Sequence, residues 1–293
     1  MRLTARVPAT SANLGPGFDT FGLALDLCNE ITVDTDARPG VTWEGEGADE
    51  LPTDGTDMLS QAMQFVARSV SDDRGAALEL PPVSVHCVNR IPLDRGLGSS
   101  AAASVVGVAL AYRLLGLGPP SEKAVFSAAA ELEGHPDNAA PAVFGGFTVA
   151  MPKRVVHRFD PHPDLRPVLL IPQVVRLSTL AARSALPSEV PMRAAISNVA
   201  HAAIAMVALT SRPDLLREAL VDRIHQPYRL PLVPKVRELF DDLVGEGVAV
   251  CVSGAGPTLL AFDLPGRPVP EPGDGWRVLR PSVRATGVEV TEV

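Results

Sequence analysis

The run Pro92-Leu-Asp-Arg-Gly-Leu-Gly-Ser-Ser-Ala-Ala-Ala103 concentrates more chemistry than any other stretch of this 293-residue chain. Closely set glycines let a backbone turn tightly and aim several N–H groups at one point. The Ala-rich residues that follow read as a helix, whose N-terminus adds partial positive charge at the same place. Two adjacent hydroxyls, Ser99 and Ser100, can bond a phosphate or a metal ion. The run reads as a phosphate cradle. It is not a Walker A loop, because no Lys follows the glycines. It is not a dinucleotide fingerprint either, because the third Gly is absent and the preceding element order is wrong. A Gly-Ser turn that only caps an Ala-rich helix would use the same residues.

Two further Gly-rich segments accompany it. Pro8-Ala-Thr-Ser-Ala-Asn-Leu-Gly-Pro-Gly-Phe-Asp19 is dense in polar side chains, and Val252-Ser-Gly-Ala-Gly-Pro-Thr258 lies in the second half. Taken singly, a glycine hairpin explains either one. The elements that must position these loops follow from periodicity and turn residues. Strands are expected at 3–7, 21–25 and 30–34, the last two joined as a hairpin by 26–29. Residues 40–55 read as loop or edge strand, 58–70 as a helix and 83–89 as a strand. A long helix at 100–115 stops at Gly116-Leu-Gly-Pro-Pro120, and Ser121 caps another at 122–133. The polar, Pro-rich 157–164 reads as an inter-domain link. Beyond it come a strand at 168–171 and helices near 179–185, 193–210, 214–221 and 233–246. Strands at 248–252, 258–262, 276–279 and 287–293 complete the chain. Grouped strands beside grouped helices indicate α+β rather than regular βαβ.

Composition narrows the classes. The chain is 46% hydrophobic and 20% charged, which excludes a disordered or fibrous polymer. A net charge of −8 makes it a poor candidate for phosphate-backbone binding, so no nucleic acid is expected. Cys28, Cys87 and Cys251 are scattered and unpaired in sequence, which fits a reduced, cytoplasmic setting and disfavours a disulfide or zinc framework. The N-terminus lacks the apolar core of a signal peptide. The apolar stretches at 96–112 and 194–209 are Ala-rich and broken by Ser or His, so they read as buried helices rather than membrane spans. His157 and His162 with Asp160 and Asp164 have the makings of a metal site, but two prolines break its geometry.

The three Gly-rich segments, in this order and at these distances, resemble the three motifs of the GHMP small-molecule kinases, and the resemblance runs from Arg2 to the C-terminus. In detail it looks like the homoserine-kinase branch of that family. The supporting residues are Ser11-Ala-Asn-Leu-Gly-Pro-Gly-Phe-Asp19, Glu133-Gly-His-Pro-Asp-Asn138, Phe144-Gly-Gly146, Ser178-Thr-Leu-Ala-Ala-Arg183 and Asp222-Arg-Ile-His-Gln-Pro-Tyr-Arg229. The resemblance implies a two-domain α+β fold, with a phosphate-loop domain over 1–152 and a ferredoxin-like domain over 153–293. It implies an ATP-dependent kinase of threonine biosynthesis that phosphorylates L-homoserine, with ATP held by Pro92, Gly96, Leu97, Gly98, Ser99, Ser100, Ala101 and Ala102. Magnesium is assigned to Ser100 and Glu131, with Glu133 the competing choice. Asn13, Asp19, His135, Asn138, Arg183 and Arg229 would form the amino-acid site. Asn138, Arg183, Ser100 and Glu131 would form the catalytic set. A homodimer is the candidate assembly.

The chemistry of such a substrate suits these residue types. Homoserine is a zwitterion with a short hydroxyl arm. Its carboxylate asks for a planar bidentate donor, which Arg183 and Arg229 supply, and its ammonium asks for an acceptor such as Asp19 or Asn13. A carboxamide is a poor proton acceptor, so Asn138 is expected to orient the hydroxyl rather than act as a base. Two departures stand out. Asp94 occupies a loop position where the family often has Gly, and Asp57-Met-Leu59 lacks the Asn that some members place near the adenine. The alternatives are another kinase of the family, acting on mevalonate or a sugar, a nucleotide-binding regulator without turnover, and a structural α+β protein.

Overall fold

Leu3, Ala5 and Val7 are wholly buried while Arg2 and Arg6 face solvent, the period-two pattern of a strand with one face on a core. The computed structural model describes residues 1–70 and 78–293. In it this strand, β1 (Arg2–Ala12), pairs antiparallel with β2 (Phe21–Asp34). Strands β3 (Gly40–Gly45), β4 (Ser84–Asn89), β5 (Phe147–Met151), β6 (Val155–Phe159) and the C-terminal β11 (Glu289–Glu292) complete a seven-stranded sheet. Its order is β11-β1-β2-β4-β3, with β5 on the far end of β2 and β6 on β5. Among the described residues only β3 and β4 run parallel. Helices α1 (Met58–Ser69), α2 (Ser99–Leu114), α3 (Glu122–Glu133) and α4 (Ala139–Phe144) join this sheet around the larger core. Eleven of the sixteen residues of α2 are buried, all between Ala101 and Leu114, which is why its sequence carries no polar stripe.

A second sheet has the order β10 (Trp276–Leu279), β7 (Pro167–Pro172), β9 (Leu259–Phe262) and β8 (Ala249–Val252), antiparallel throughout. Both its faces are covered. Along β7, Leu169 and Ile171 point into the larger core while Val168 and Leu170 point into a second one. The second core is closed by α9 (Pro234–Gly245) through Val236 and Leu243. On the other side lie α6 (Met192–Thr210) and α7 (Leu216–Ala219). Two short helices, α5 (Thr179–Ser184) and α8 (Gln226–Arg229), face the space between the sheets.

The structure corrects several expectations. Residues 21–34 form one strand, not a hairpin: Pro8 faces Cys28 and Ala9 faces Leu25, so the polar segment is a bulge opposite a residue with no N–H to pair. Residues 157–159 of the expected linker belong to β6, so β6 and β11, both beyond residue 152, complete the first sheet. The helix expected at 214–221 is a short 3-10 turn followed by the four residues of α7. Helix α6 is not buried all round. It is long and apolar enough to cross a membrane by length and composition, and only Asn198, Ala205, Ala208 and Leu209 are fully buried. Residues 40–45 are the edge strand, as one of the two readings had it.

Candidate active site

The three Gly-rich segments meet at one point. Thr10 N–H donates to Leu97 O at 3.0 Å and Gly254 N–H donates to Ala12 O at 3.0 Å. Ser253 Oγ donates to Gly96 O at 2.7 Å and lies 2.8 Å from Ser11 Oγ. These contacts explain two glycines that sequence alone assigns to tight turning. A Cβ on Gly96 would stand 2.3 Å from Ser253 O, and one on Gly98 would stand 1.9 Å from Thr10 Oγ1. Both also have positive φ, 70° and 68°. Gly98 occupies the N-cap position of α2 and no side chain caps that helix, which leaves its leading N–H groups free to meet a ligand.

The cleft beside this junction has a volume of about 320 Å3. Every residue from Pro92 to Ala101 lines it, and Ala102 lies buried beneath. One wall is apolar: Trp43, Met58, Leu93 and Val106. Asp57 also reaches it, but its carboxylate is committed to capping α1 through Ser60 N and Ser60 Oγ, at 2.9 and 2.7 Å. Asp94 is exposed with φ of 53°, and no hydrogen bond joins it to Arg95 among the described residues. Arg95 instead turns inward. It is buried, its Nη2 donates to Gln173 O at 2.9 Å, and burial lowers its pKa.

The acid beside the cradle is Glu133, not Glu131. Ser100 Oγ and Ser104 Oγ donate to Glu133 Oε1 at 2.8 and 2.7 Å. Glu131 pairs with Arg154 at 3.0 Å on the surface and does not line the cleft. Residues two apart on a helix point about 200° from one another, so only one of the two acids can face Ser100. The αL cap at Gly134 ends α3 directly after Glu133 and leads the chain into the His135–Asn138 turn. There Asn138 Oδ1 accepts from Thr10 Oγ1 at 2.8 Å, while its Nδ2 faces Asp137 Oδ1 at 3.4 Å. His135 Nδ1 also lies 3.4 Å from Asp137, which raises the imidazole pKa against the effect of burial.

At the other end of the cleft, Arg183 grips Asp19 with two parallel bonds, 3.0 and 2.7 Å. Those bonds keep the Arg183 pKa above the usual range although burial opposes them. Arg229 is only 3% exposed. Its Nη1 donates to Gly254 O at 3.0 Å, and burial lowers its pKa. Both guanidinium groups lie over the ring of Phe18, 5.8 Å away for Arg183 and 5.2 Å for Arg229. Asn13 reaches the cleft, but its amide is committed at both ends: Oδ1 accepts from Asp19 N at 2.9 Å and Nδ2 donates to Gly254 O at 2.7 Å. These two bonds brace the loop, and the Asp19 carboxylate faces the cleft bonded to Arg183.

The structure thus brings together Ser99, Ser100, Asn13, Asp19, His135, Asn138, Arg183 and Arg229, and excludes Glu131. Sequence reasoning missed Phe18, Thr10, Ser104 and the pair Asp222 and His225 as site components. A signal existed for Asp222: it is an acid just ahead of a helix, and its carboxylate accepts from the N–H groups of Ile224, His225 and Gln226.

Known proteins place this architecture. Residues 58–146 match the GHMP kinases N terminal domain and residues 203–268 match the GHMP kinases C terminal domain. A homoserine kinase of Rhodococcus erythropolis is 42% identical over 99% of this chain and 96% of its own length. One from Thermus thermophilus is 46% identical over 90% of this chain and 88% of its own. The crystal structure of a homoserine kinase from Cytophaga hutchinsonii superposes with a TM-score of 0.80 at 23% identity, covering 99% of this chain and 97% of that one. The chain belongs to the GHMP kinases, and within them to the homoserine kinase family.

Proposed function

We propose that the chain transfers the γ-phosphoryl group of ATP to the side-chain hydroxyl of L-homoserine. One observation carries this reading. Arg183 and Arg229 flank Phe18 in the same cleft that holds the glycine cradle and the Ser100–Glu133 pair. Two homoserine kinases at 42% and 46% identity support the choice of substrate. The cradle's N–H groups and the start of α2 bind the phosphates, and the apolar wall of Trp43, Met58, Leu93 and Val106 receives the base. Ser100 and Glu133 offer a hydroxyl and a carboxylate, an all-oxygen donor set that suits magnesium. Magnesium, when bound, neutralises phosphate charge that this lysine-free loop leaves uncompensated.

The amino acid is oriented by its charged end. Arg229 is held rigidly and offers its guanidinium to the carboxylate. Asp19 exchanges part of its bond with Arg183 for the ammonium group, and Arg183 then turns toward the carboxylate. Asn138 spends its carboxamide oxygen on Thr10, so what it presents to the hydroxyl arm is an N–H, which orients rather than deprotonates. Phosphoryl transfer is chiefly positioning and charge stabilisation, and this arrangement supplies both. The test is a coupled assay of ADP release with Mg-ATP across L-homoserine, mevalonate and galactose. Turnover with homoserine alone is expected. Equal or better turnover with mevalonate or galactose would overturn the substrate.

A further inference from the structure

Beneath the amino-acid end of the cleft lies a histidine that phosphoryl transfer does not call on. His225 is wholly buried, and its ring stacks on Phe18 with centroids 5.4 Å apart and planes 24° apart. Its two ring nitrogens meet partners of opposite kind. Nε2 lies 2.8 Å from Gly15 O, a group that can only accept. Nδ1 lies 3.4 Å from Nη1 of Arg229, a group that can only donate. Only one form of the ring satisfies both: a neutral imidazole with its proton on Nε2 and a bare Nδ1. Gly15 belongs to the loop that ends at Asp19, so one ring ties the substrate loop to the carboxylate-binding arginine.

The charged groups around the ring hold it in that form. Asp222 Oδ2 approaches Nε2 at 3.7 Å, but it already accepts from the N–H groups of His225 and Gln226 at 2.9 and 2.7 Å. Asp222 Oδ1 is occupied by Asn198 Nδ2 at 2.7 Å and Ile224 N at 3.0 Å. Asp19, across Phe18, is the other acid acting on the ring. Arg229 opposes a second positive charge, and the buried Cys251 thiol of β8 is pushed up and stays neutral. Burial is the largest influence on His225 and sets the net direction, a pKa below the usual imidazole range.

We propose that His225 is a positioning residue for the amino-acid subsite, which as a neutral Nε2–H imidazole locks the Arg229 guanidinium to the substrate loop. The consequence for turnover rests on the homoserine reading given above. A ring that gains a proton on Nδ1 points it at the N–H groups of Arg229 and loosens that arginine.

Three substitutions separate the two contacts. His225→Asn places an amide where Nδ1 stands, His225→Gln places one where Nε2 stands, and His225→Phe keeps the stack on Phe18 and loses both. Removal of an acceptor from a buried charged donor should raise the homoserine KM about tenfold in His225→Phe, with the ATP KM within about twofold of the wild type. Asn should restore most of the homoserine KM and Gln should not. Equal effects in all three, or rescue by Gln instead of Asn, would reduce His225 to a packing residue and overturn the proposal. A second measurement needs no turnover: 15N-histidine NMR of the wild-type chain. The expected result is the Nε2–H tautomer at neutral pH with a midpoint below about 6.5. An Nδ1–H tautomer or an imidazolium there would overturn the proposal. Absence of homoserine turnover in the wild type would remove the substrate assignment and leave the NMR result to decide the role of His225.

Discussion

The two ends of the cleft hold their ligands by different means. At the phosphate end the groups that would bind, on the proposed reading, are backbone N–H groups and hydroxyls from one contiguous run, 96–102, supplemented by a single acid, Glu133. The guanidinium just before that run, on Arg95, is buried and turned to Gln173. At the amino-acid end the groups come from four separate segments and are fixed by side chains: Asp19 to Arg183, Asn13 to Gly254, Arg229 to Gly254 and His225, all around Phe18. Among the described residues the first end offers no free cation, and on the proposed reading it would draw on magnesium for that charge. The second has cations already, partly desolvated and aimed. Loss of one side chain should therefore be felt most at the amino-acid end, and ionic composition of the medium most at the phosphate end.

That contrast breaks first at Arg229. Arg229→Ala removes a buried guanidinium and should raise the homoserine KM with little change in the ATP KM, a cost of about 2–5 kcal/mol in kcat/KM. Arg183 is 37% exposed and already paired, so Arg183→Ala should cost less. A dominant effect on ATP in either variant would move that arginine to the phosphate end. Next in size, Glu133→Ala should lower kcat on the order of a hundredfold and shift the magnesium requirement upward, because it removes the charged ligand. Glu131→Ala loses only a surface pair with Arg154, worth about 0–1 kcal/mol of stability, and should leave the magnesium titration unchanged. A magnesium shift in Glu131→Ala with none in Glu133→Ala would reverse the assignment.

Smaller effects concern stability. The His225 pKa is depressed in the fold, so its neutral form contributes stability that is full above the unfolded value of about 6.5 and lost as pH falls through the lower native value. Urea unfolding of the wild type should therefore weaken more between pH 7.5 and 5 than that of His225→Gln; equal acid sensitivity would contradict it. The smallest change expected is Asp94→Gly. Asp94 sits at φ 53° with no hydrogen-bond partner for its carboxylate among the described residues, so glycine should stabilise the fold by up to about 1 kcal/mol. Calorimetry would register this as a higher Tm. The same substitution should leave ATP binding equal or tighter, because it takes an acid away from the cradle.

The two ends also differ in how far the sequence discloses them. The glycine cradle was legible because its parts are neighbours in the chain, and so were α1 from its periodicity, α2 from its Ala-rich run and the Gly116–Pro120 stop, and α3 from its Ser121 cap, each within one residue of its observed bounds. The choice between Glu131 and Glu133 was not legible. Both lie in the last turn of α3, and only the packing of that turn against Ser100 and Ser104 separates them. Asn13 reads as a ligand in sequence because a polar side chain in a Gly-rich loop is ambiguous; the bonds its amide makes to Asp19 and Gly254 at the edge of the cleft were not legible there. The hairpin expected at 26–29 fails for a similar reason. Asn29 looks like a turn residue, yet it is buried and its Oδ1 accepts from the backbone N–H groups of Arg90 and Ile91, at 2.8 and 3.0 Å. Local polarity reports what a side chain can bond, and only the fold decides whether protein or ligand supplies the partner.

The central claim is that the amino-acid end recognises a carboxylate through Arg229. Its most direct test compares kcat/KM for L-homoserine and for 3-aminopropan-1-ol, the same molecule without its carboxylate, in the wild type and in Arg229→Ala. The wild type should prefer homoserine strongly, by about tenfold to several hundredfold on the scale of a charge-assisted pair. Arg229→Ala should lose most of that preference while keeping its ATP KM. A wild type indifferent to the carboxylate, or an Arg229→Ala variant that discriminates as well as the wild type, would contradict the account.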